Sequence, residues 1–177
     1  MIRKLTLASI TALAATAAVA TYATQASSAS PKEHGSSDPH VVVQHKVISL
    51  ASAQKLANAA QAACTKRGFA VTVAVVDPDG VDVLVQRADG ATGATVVVAR
   101  DKAHASAGFQ SPSGALQEQA KSNPGFVSLP DFVILPGGEP IFVDKALAGG
   151  VGVSGAPSGD IDDQCAKTGL AAIGLNS

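Results

Sequence analysis

VTVAVVDPDGVDVLVQR, residues 71–87, carries the clearest structural signal in this chain. Its first six residues form a β-branched run that is typical of a buried strand, and residues 81–87 alternate like a second strand. The turn sequence Asp77-Pro-Asp-Gly80 separates the two runs, and its Asp-Gly pair is the strongest turn signal. We therefore predict a β-hairpin here.

Helical periodicity lies on both sides of this hairpin. Residues 49–66 repeat small and apolar side chains at spacings of three and four, with Ser49 as the N-cap and Gly68 as the terminator. The other predicted elements are helices at 92–109, 113–121 and 158–172 and strands at 132–135, 141–144 and 147–153. The order α-β-β-α-α-β-β-β-α predicts an α+β domain with helices packed on an antiparallel sheet.

Composition excludes several function classes. The 177 residues are 46% hydrophobic and 15% charged, which indicates one globular domain rather than a disordered chain. Aromatic residues make up 3%, too few for a platform that stacks single-stranded nucleic acid. The net charge of −1 provides no basic surface for DNA or RNA. Two cysteines are too few for a zinc ribbon or a cysteine-only iron–sulfur site.

The amino terminus is typical of an exported protein. Arg3 and Lys4 precede an uncharged, Ala-rich stretch and then small residues, so we predict a signal peptide over residues 1–29. An uncleaved membrane anchor is the alternative. Residues 30–46 are predicted to be a flexible leader, and residues 47–177 to be the folded domain. The expected location is extracellular, with no transmembrane span after processing.

Three short motifs suggest chemistry that their surroundings do not support. Residues 150–155, GVGVSG, match a dinucleotide-binding fingerprint, but the 22 residues that follow cannot supply a helix and a second parallel strand. Ser154 is not in a nucleophile elbow, because Ala156 stands where that motif needs glycine. Residues 77–82 lack the glycine and glutamate positions of an EF-hand and fit a hairpin turn better.

Cys64 and Cys165 lie on the first and last predicted helices. If these helices pack side by side, a disulfide could close a loop of about 100 residues and add several kcal/mol of stability. The alternative is a pair of buried thiols that act as small hydrophobic side chains.

His104 is the main candidate ligand in the folded part of the sequence. It lies in the middle of a predicted helix, and Arg100, four residues earlier, shares its face. A histidine beside small residues is suited to binding a metal or haem, although surface and interface histidines have the same pattern. The aromatic ring and hydroxyls of Phe109-Gln-Ser-Pro-Ser113 provide a pocket wall at the end of this helix.

Six motifs follow one another in a recognisable order. They are Val75-Val-Asp-x-x-Gly80, Ala99-Arg-Asp-Lys-Ala103, Phe109-x-x-Pro-Ser113, Leu135-Pro-Gly-Gly138-x-Pro140, Gly152-Val-Ser-Gly155 and Asp162-x-x-Cys-Ala166. In this order they resemble the GlcG/HbpS family of haem-binding proteins, which is similar to the C-terminal domain of PduO-type cobalamin adenosyltransferases. The resemblance covers residues 47–175.

This resemblance implies a profilin-like fold with a five-stranded antiparallel sheet, and a homo-oligomer that is often an octamer. It implies haem as the cofactor, with iron as a second candidate, and a membrane sensor histidine kinase as a partner. A threonine hydroxyl is implicated in haem coordination in the family, and Ser113 stands at that position here. The expected binding residues are Ser113, His104, Arg100, Lys102 and Phe109, with Ser113 and His104 as metal ligands and Arg100 or Lys102 as propionate partners.

The expected function is therefore that of an exported haem-binding protein that scavenges haem or iron, or senses redox state for a sensor kinase. One alternative is an enzyme that degrades haem oxidatively. Another is an oligomeric module for a different small molecule. The sequence contains no strong acid–base constellation, which favours binding over catalysis.

Overall fold

The computed structural model describes residues 44–175. The signal peptide predicted for residues 1–29 and most of the predicted leader lie outside the described residues and stay predictions. The elements in this range are α1 (Leu50–Thr65), β1 (Thr72–Val76), β2 (Asp82–Arg87), α2 (Ala94–Phe109), α3 (Leu116–Ser122), β3 (Gly138–Val143), β4 (Ala146–Ser154) and α4 (Gly159–Ala172). Between residues 44 and 175, no helix is both long and apolar enough to cross a membrane.

The predicted hairpin is confirmed, with β1 antiparallel to β2. The Asp77 carboxylate closes its turn by accepting hydrogen bonds from the backbone amides of Asp79 at 2.9 Å and Val81 at 2.8 Å. Gly80 has φ +83°, which glycine adopts without steric cost. The acidic turn motif is therefore explained by the hairpin. Within residues 44–175, no cluster of three or more His, Cys, Asp or Glu could hold a metal ion.

The sheet has the strand order β2-β1-β4-β3 and is antiparallel throughout. Because β1 is central, all five of its residues are buried, as the β-branched run predicted. The strand predicted at 132–135 is wrong. This segment is irregular, and the Val133 amide donates to the Asp101 carbonyl of α2 at 3.2 Å instead of joining a ladder. The described sheet therefore has four strands, not the five that the resemblance implied.

Helices cover both faces of the sheet. Val73 and Val75 of β1 face the side covered by α1 and α4, whereas Ala74 and Val76 face α2. The α2 helix packs very close to the sheet at Gly152. A Cβ atom added to this glycine would lie only 2.0 Å from the Ala99 carbonyl oxygen. Gly150 and Gly152 lie in the antiparallel strand β4 and thus allow close helix–sheet packing.

A disulfide joins Cys64 of α1 to Cys165 of α4, with a Cα–Cα distance of 5.7 Å and a sequence separation of 101. Both cysteines are fully or almost fully buried where the two helices pack. Of the two alternatives that the sequence left open, the structure has the disulfide.

Candidate functional site

An open groove runs between the exposed side of α2 and the β1–β2 turn. It consists of two adjoining depressions of about 440 and 380 Å³ that share Gly80, His104 and Asp131. Both volumes fall in the range of small-molecule sites. We call this space the His104 groove. Its lining residues are Pro78, Asp79, Gly80, Asp82, Val97, Arg100, Asp101, His104, Gly108, Pro130, Asp131 and Phe132.

His104 lies at the centre of the groove and lines both depressions. The helix presents it beside the hairpin turn, where a Cβ on Gly80 would lie 3.8 Å from its Cδ2. The imidazole is half-buried, and its side chain makes no hydrogen bond to another residue of the range 44–175. The ring nitrogens are therefore not engaged within this range, and the role of His104 as a ligand stays a prediction.

Arg100 lies one helical turn before His104 and also lines the groove. Its Nη2 forms an ion pair with the Asp82 carboxylate at the start of β2, and the side chains are 42% and 35% exposed. Its Nε is buried and has no hydrogen-bond partner in the described part of the chain. The guanidinium therefore keeps unused hydrogen-bonding capacity at the groove wall.

Carboxyl groups make the groove acidic. Asp82, Asp101 and Asp131 line its larger depression, and none of them was among the predicted binding residues. Burial raises the pKa of the Asp101 carboxyl above its ordinary value, and the negative charge of Asp131 raises it further, against the opposing effects of His104 and Arg100. The groove thus combines one imidazole, one guanidinium and several carboxyl groups.

Lys102, predicted as a ligand contact, does not line the groove. Its side chain is 2% exposed, and its Nζ donates to the Asp162 carboxylate at 2.8 Å and to the Val153 carbonyl at 2.9 Å. Lys102 is two residues from both Arg100 and His104, which places it about 200° from each around the helix axis. Its side chain therefore points away from the groove. This ammonium group joins α2 to β4 and α4, and its predicted role as a propionate partner stays a prediction.

The hydroxyl of Ser113 is also occupied. It donates to the Leu135 carbonyl at 2.5 Å and accepts from the Gly138 amide at 2.8 Å, and the residue is completely buried. Both hydrogen bonds hold the segment 135–138, which leads into β3, against the residue after α2 that carries this hydroxyl. In this conformation the structure does not place Ser113 in the groove with His104, and its role as a ligand stays a prediction.

Phe109 stands beside the groove without lining it. Its ring packs against Phe126 at a centroid distance of 5.1 Å and against Phe132 at 5.5 Å. Phe132 reaches the groove, where its ring also lies against Gly108. Phe109 therefore supports the aromatic wall that Phe132 presents.

A second polar cluster, away from the groove, was not predicted. Glu139 of β3 is 1% exposed, and its neighbours on α4 are Asp163 and Lys167, whose Nζ lies 3.6 Å from Glu139 Oε1. Burial, a hydrogen bond to Asp163 and the charge of Asp163 raise the pKa of Glu139 to about 8. Side chains alternate along a strand, so Glu139 shares a face with the core residue Ile141. This spacing of two residues was the sequence feature that could have predicted a buried Glu139.

Comparisons with known proteins agree with this architecture. Residues 48–171 match the family model described as "Haem degrading protein HbpS-like". Protein GlcG of Escherichia coli is 30% identical over 109 residues, which cover 61% of this chain and 81% of that protein. A crystal structure of HbpS from Streptomyces reticuli is 34% identical with a TM-score of 0.73, covering 77% of this chain and 94% of the other.

The fold is also similar to that of PduOC, solved as a haem complex, with a TM-score of 0.66, 24% identity, and coverage of 71% of this chain and 94% of that one. At that identity the likeness concerns the fold. The family model spans well over half of the sequence and includes the hairpin, the groove and the disulfide-linked helices. This chain therefore belongs to the HbpS-like family.

Proposed function

We propose that this protein binds haem in the His104 groove, with His104 as the axial ligand. The observation that carries the proposal is the free imidazole at the centre of a groove of ligand size, in a chain of the HbpS-like family. Imidazole nitrogen is a common axial ligand of haem iron. His45, the other histidine between residues 44 and 175, lies outside this groove.

The groove residues fit the chemical character of haem. Pro78, Pro130 and Phe132 provide apolar contacts for the macrocycle, and Arg100 provides a cation for a propionate. The unpaired Arg100 Nε is a buried donor that a carboxylate would satisfy. When bound, haem would supply an iron centre for oxygen or peroxide chemistry. Pro78, Pro130 and Phe132 would hold the macrocycle, and Arg100 would bind a propionate.

The proposal extends to the protein's cellular role. An exported haem-binding protein would scavenge haem or iron, or would report redox state to a membrane sensor histidine kinase. The groove is open on one side. The proposal includes a homo-oligomer, as the family resemblance implied. It also assigns the fold to the profilin-like class on the same basis.

Haem titration of the purified protein, followed by absorption, tests the proposal. We expect a Soret shift that saturates at a fixed stoichiometry and an affinity that falls at least tenfold in His104→Ala. His45→Ala removes an exposed histidine outside the groove and is the matched control, with an expected change below twofold. No saturable shift, or equal losses in both variants, would refute haem binding at His104.

Oxidative haem degradation is the second candidate function, and the description of the matching family model favours it. Among the acid–base side chains of the groove, His104 and Asp101 could relay protons. Incubating the haem complex with ascorbate and catalase separates the two functions. Degradation requires loss of the Soret band with a defined open-chain tetrapyrrole as product, whereas a binding protein keeps the band.

A further inference from the structure

The guanidinium of Arg100 is incompletely paired. One terminal nitrogen bonds the Asp82 carboxylate across the groove, whereas the buried Nε has no hydrogen-bond partner within the described range. A carboxylate that lies along the edge of a guanidinium takes two hydrogen bonds from it. Asp82 accepts one hydrogen bond, from Nη2. The Nε–H donor is left over, and a carboxylate placed along the guanidinium edge would bind it as well.

Arg100 is also the only Lys or Arg among the residues that line the groove in the described structure. The carboxylates of Asp82 and Asp131 face the same space. An anionic ligand that enters therefore meets repulsion from these groups and one fixed positive charge, which Asp82 already occupies. Both side chains of that ion pair are more than a third solvent-exposed. The pair is therefore weak enough for a ligand to displace.

We propose that Asp82 is a competing counterion that controls the access of ligand carboxylates to Arg100, and that the groove takes one ligand carboxylate rather than two. The inference rests on the proposed function, because it concerns the ligand of the same groove. In the exchange, Asp82 releases the Arg100 Nη2, and the incoming carboxylate bonds the guanidinium in its place. A second ligand carboxylate stays in solvent, away from Asp131.

Two matched variants separate pairing from overall charge. Asp82→Asn removes the partner of Arg100, whereas Asp131→Asn removes the same charge from the same groove and leaves the pair intact. Asp131 has φ +59°, a conformation that asparagine also tolerates. We expect Asp82→Asn to bind haem about three- to fivefold more tightly, the size of one exposed ion pair. Asp131→Asn relieves repulsion but frees no hydrogen-bond donor, so its gain in affinity should be smaller, less than about twofold.

The ligand side of the test uses haem dimethyl ester, which lacks free carboxylates. Its affinity should be the same in the original protein and in Asp82→Asn. In an Arg100→Gln background, Asp82→Asn should no longer improve haem binding, because the side chain that it frees is absent. Equal gains for haem and its ester, or a gain that persists without Arg100, would overturn the inference while leaving haem binding intact.

Propionate ion provides a readout that does not depend on haem. Its titration is followed by the ¹⁵N resonance of the Arg100 Nε–H group. The inference expects a dissociation constant about three- to fivefold lower in Asp82→Asn than in Asp131→Asn. This result in a protein that fails to bind haem would refute the proposed function and support the role of Asp82. Equal or absent responses in all the proteins would refute the role of Asp82.

Discussion

Replacing Glu139 by Gln tests how this fold tolerates a buried acid. Glu139 is 1% exposed on β3, beside Asp163 and the half-exposed Lys167 of α4. Burial, together with the hydrogen bond to Asp163 and its charge, raises the pKa of Glu139 from 4.5 to about 8. The folded protein thus binds this proton more tightly than the unfolded chain does. Gln keeps a hydrogen-bond donor toward Asp163 and removes the titration.

The sign of the pH dependence follows from the raised pKa. The stability that the protonated carboxyl contributes is fully present below pH 4.5 and is lost as the pH rises to about 8. At about 1.36 kcal/mol for each pKa unit, the loss over this interval is ~5 kcal/mol. Glu139→Gln should therefore match the original protein near pH 4.5 and exceed its free energy of unfolding by about 3–5 kcal/mol at pH 8.5.

Urea unfolding followed by circular dichroism, with the disulfide intact, measures this difference from pH 4.5 to 9. Glu118→Gln is the control, because Glu118 is a solvent-exposed residue of α3 paired with exposed Lys121. Its effect should stay within about 0.5 kcal/mol at every pH. A difference between Glu139→Gln and the original protein that changes by less than about 1 kcal/mol over this range would refute the reasoning about the buried acid.

Three further changes test the packing around the site by urea unfolding. Lys102→Met leaves its buried carboxylate partner unpaired and should lower the free energy of unfolding by about 3–5 kcal/mol; a loss below 1 kcal/mol would contradict the buried ion pair. Replacing both Cys64 and Cys165 by Ala opens a 101-residue loop and should cost ~3–5 kcal/mol, and an unchanged urea midpoint would argue against the disulfide. Gly152→Ala should cost more than ~3 kcal/mol because its Cβ would overlap a carbonyl oxygen of α2, whereas Gly93→Ala, with open space around it, should change stability by less than ~1 kcal/mol.

Two residues of the candidate site, Arg100 and His104, were accessible from sequence. The helical spacing of four between Arg100 and His104 predicted that both would share one face, and both line the groove. The same pattern could not show what Lys102 and Ser113 touch, because their partners are distant in sequence. Asp162 lies 60 residues from Lys102, and Gly138 lies 25 residues from Ser113.

The acidic wall was missed for a related reason. Asp82 and Asp131 come from a hairpin and a loop on opposite sides of α2 in the sequence, and only the fold brings them to His104. The segment that contains Val133 was predicted as a strand from its apolar residues. A backbone hydrogen bond to α2 holds it instead, and local propensity contains no information about that partner.

Local sequence was sufficient for the helices, for the β1–β2 hairpin and for the turn that closes it, because periodicity, capping and turn chemistry act between near neighbours. Pairing between distant segments required the tertiary structure. The insertion of β4 between β1 and β3 joins Thr72 to Ser154 across the sheet, and the packing of α1 on α4 unites Cys64 with Cys165. Such contacts depend on chain closure over tens of residues and on complementary packing, which no short stretch of sequence encodes.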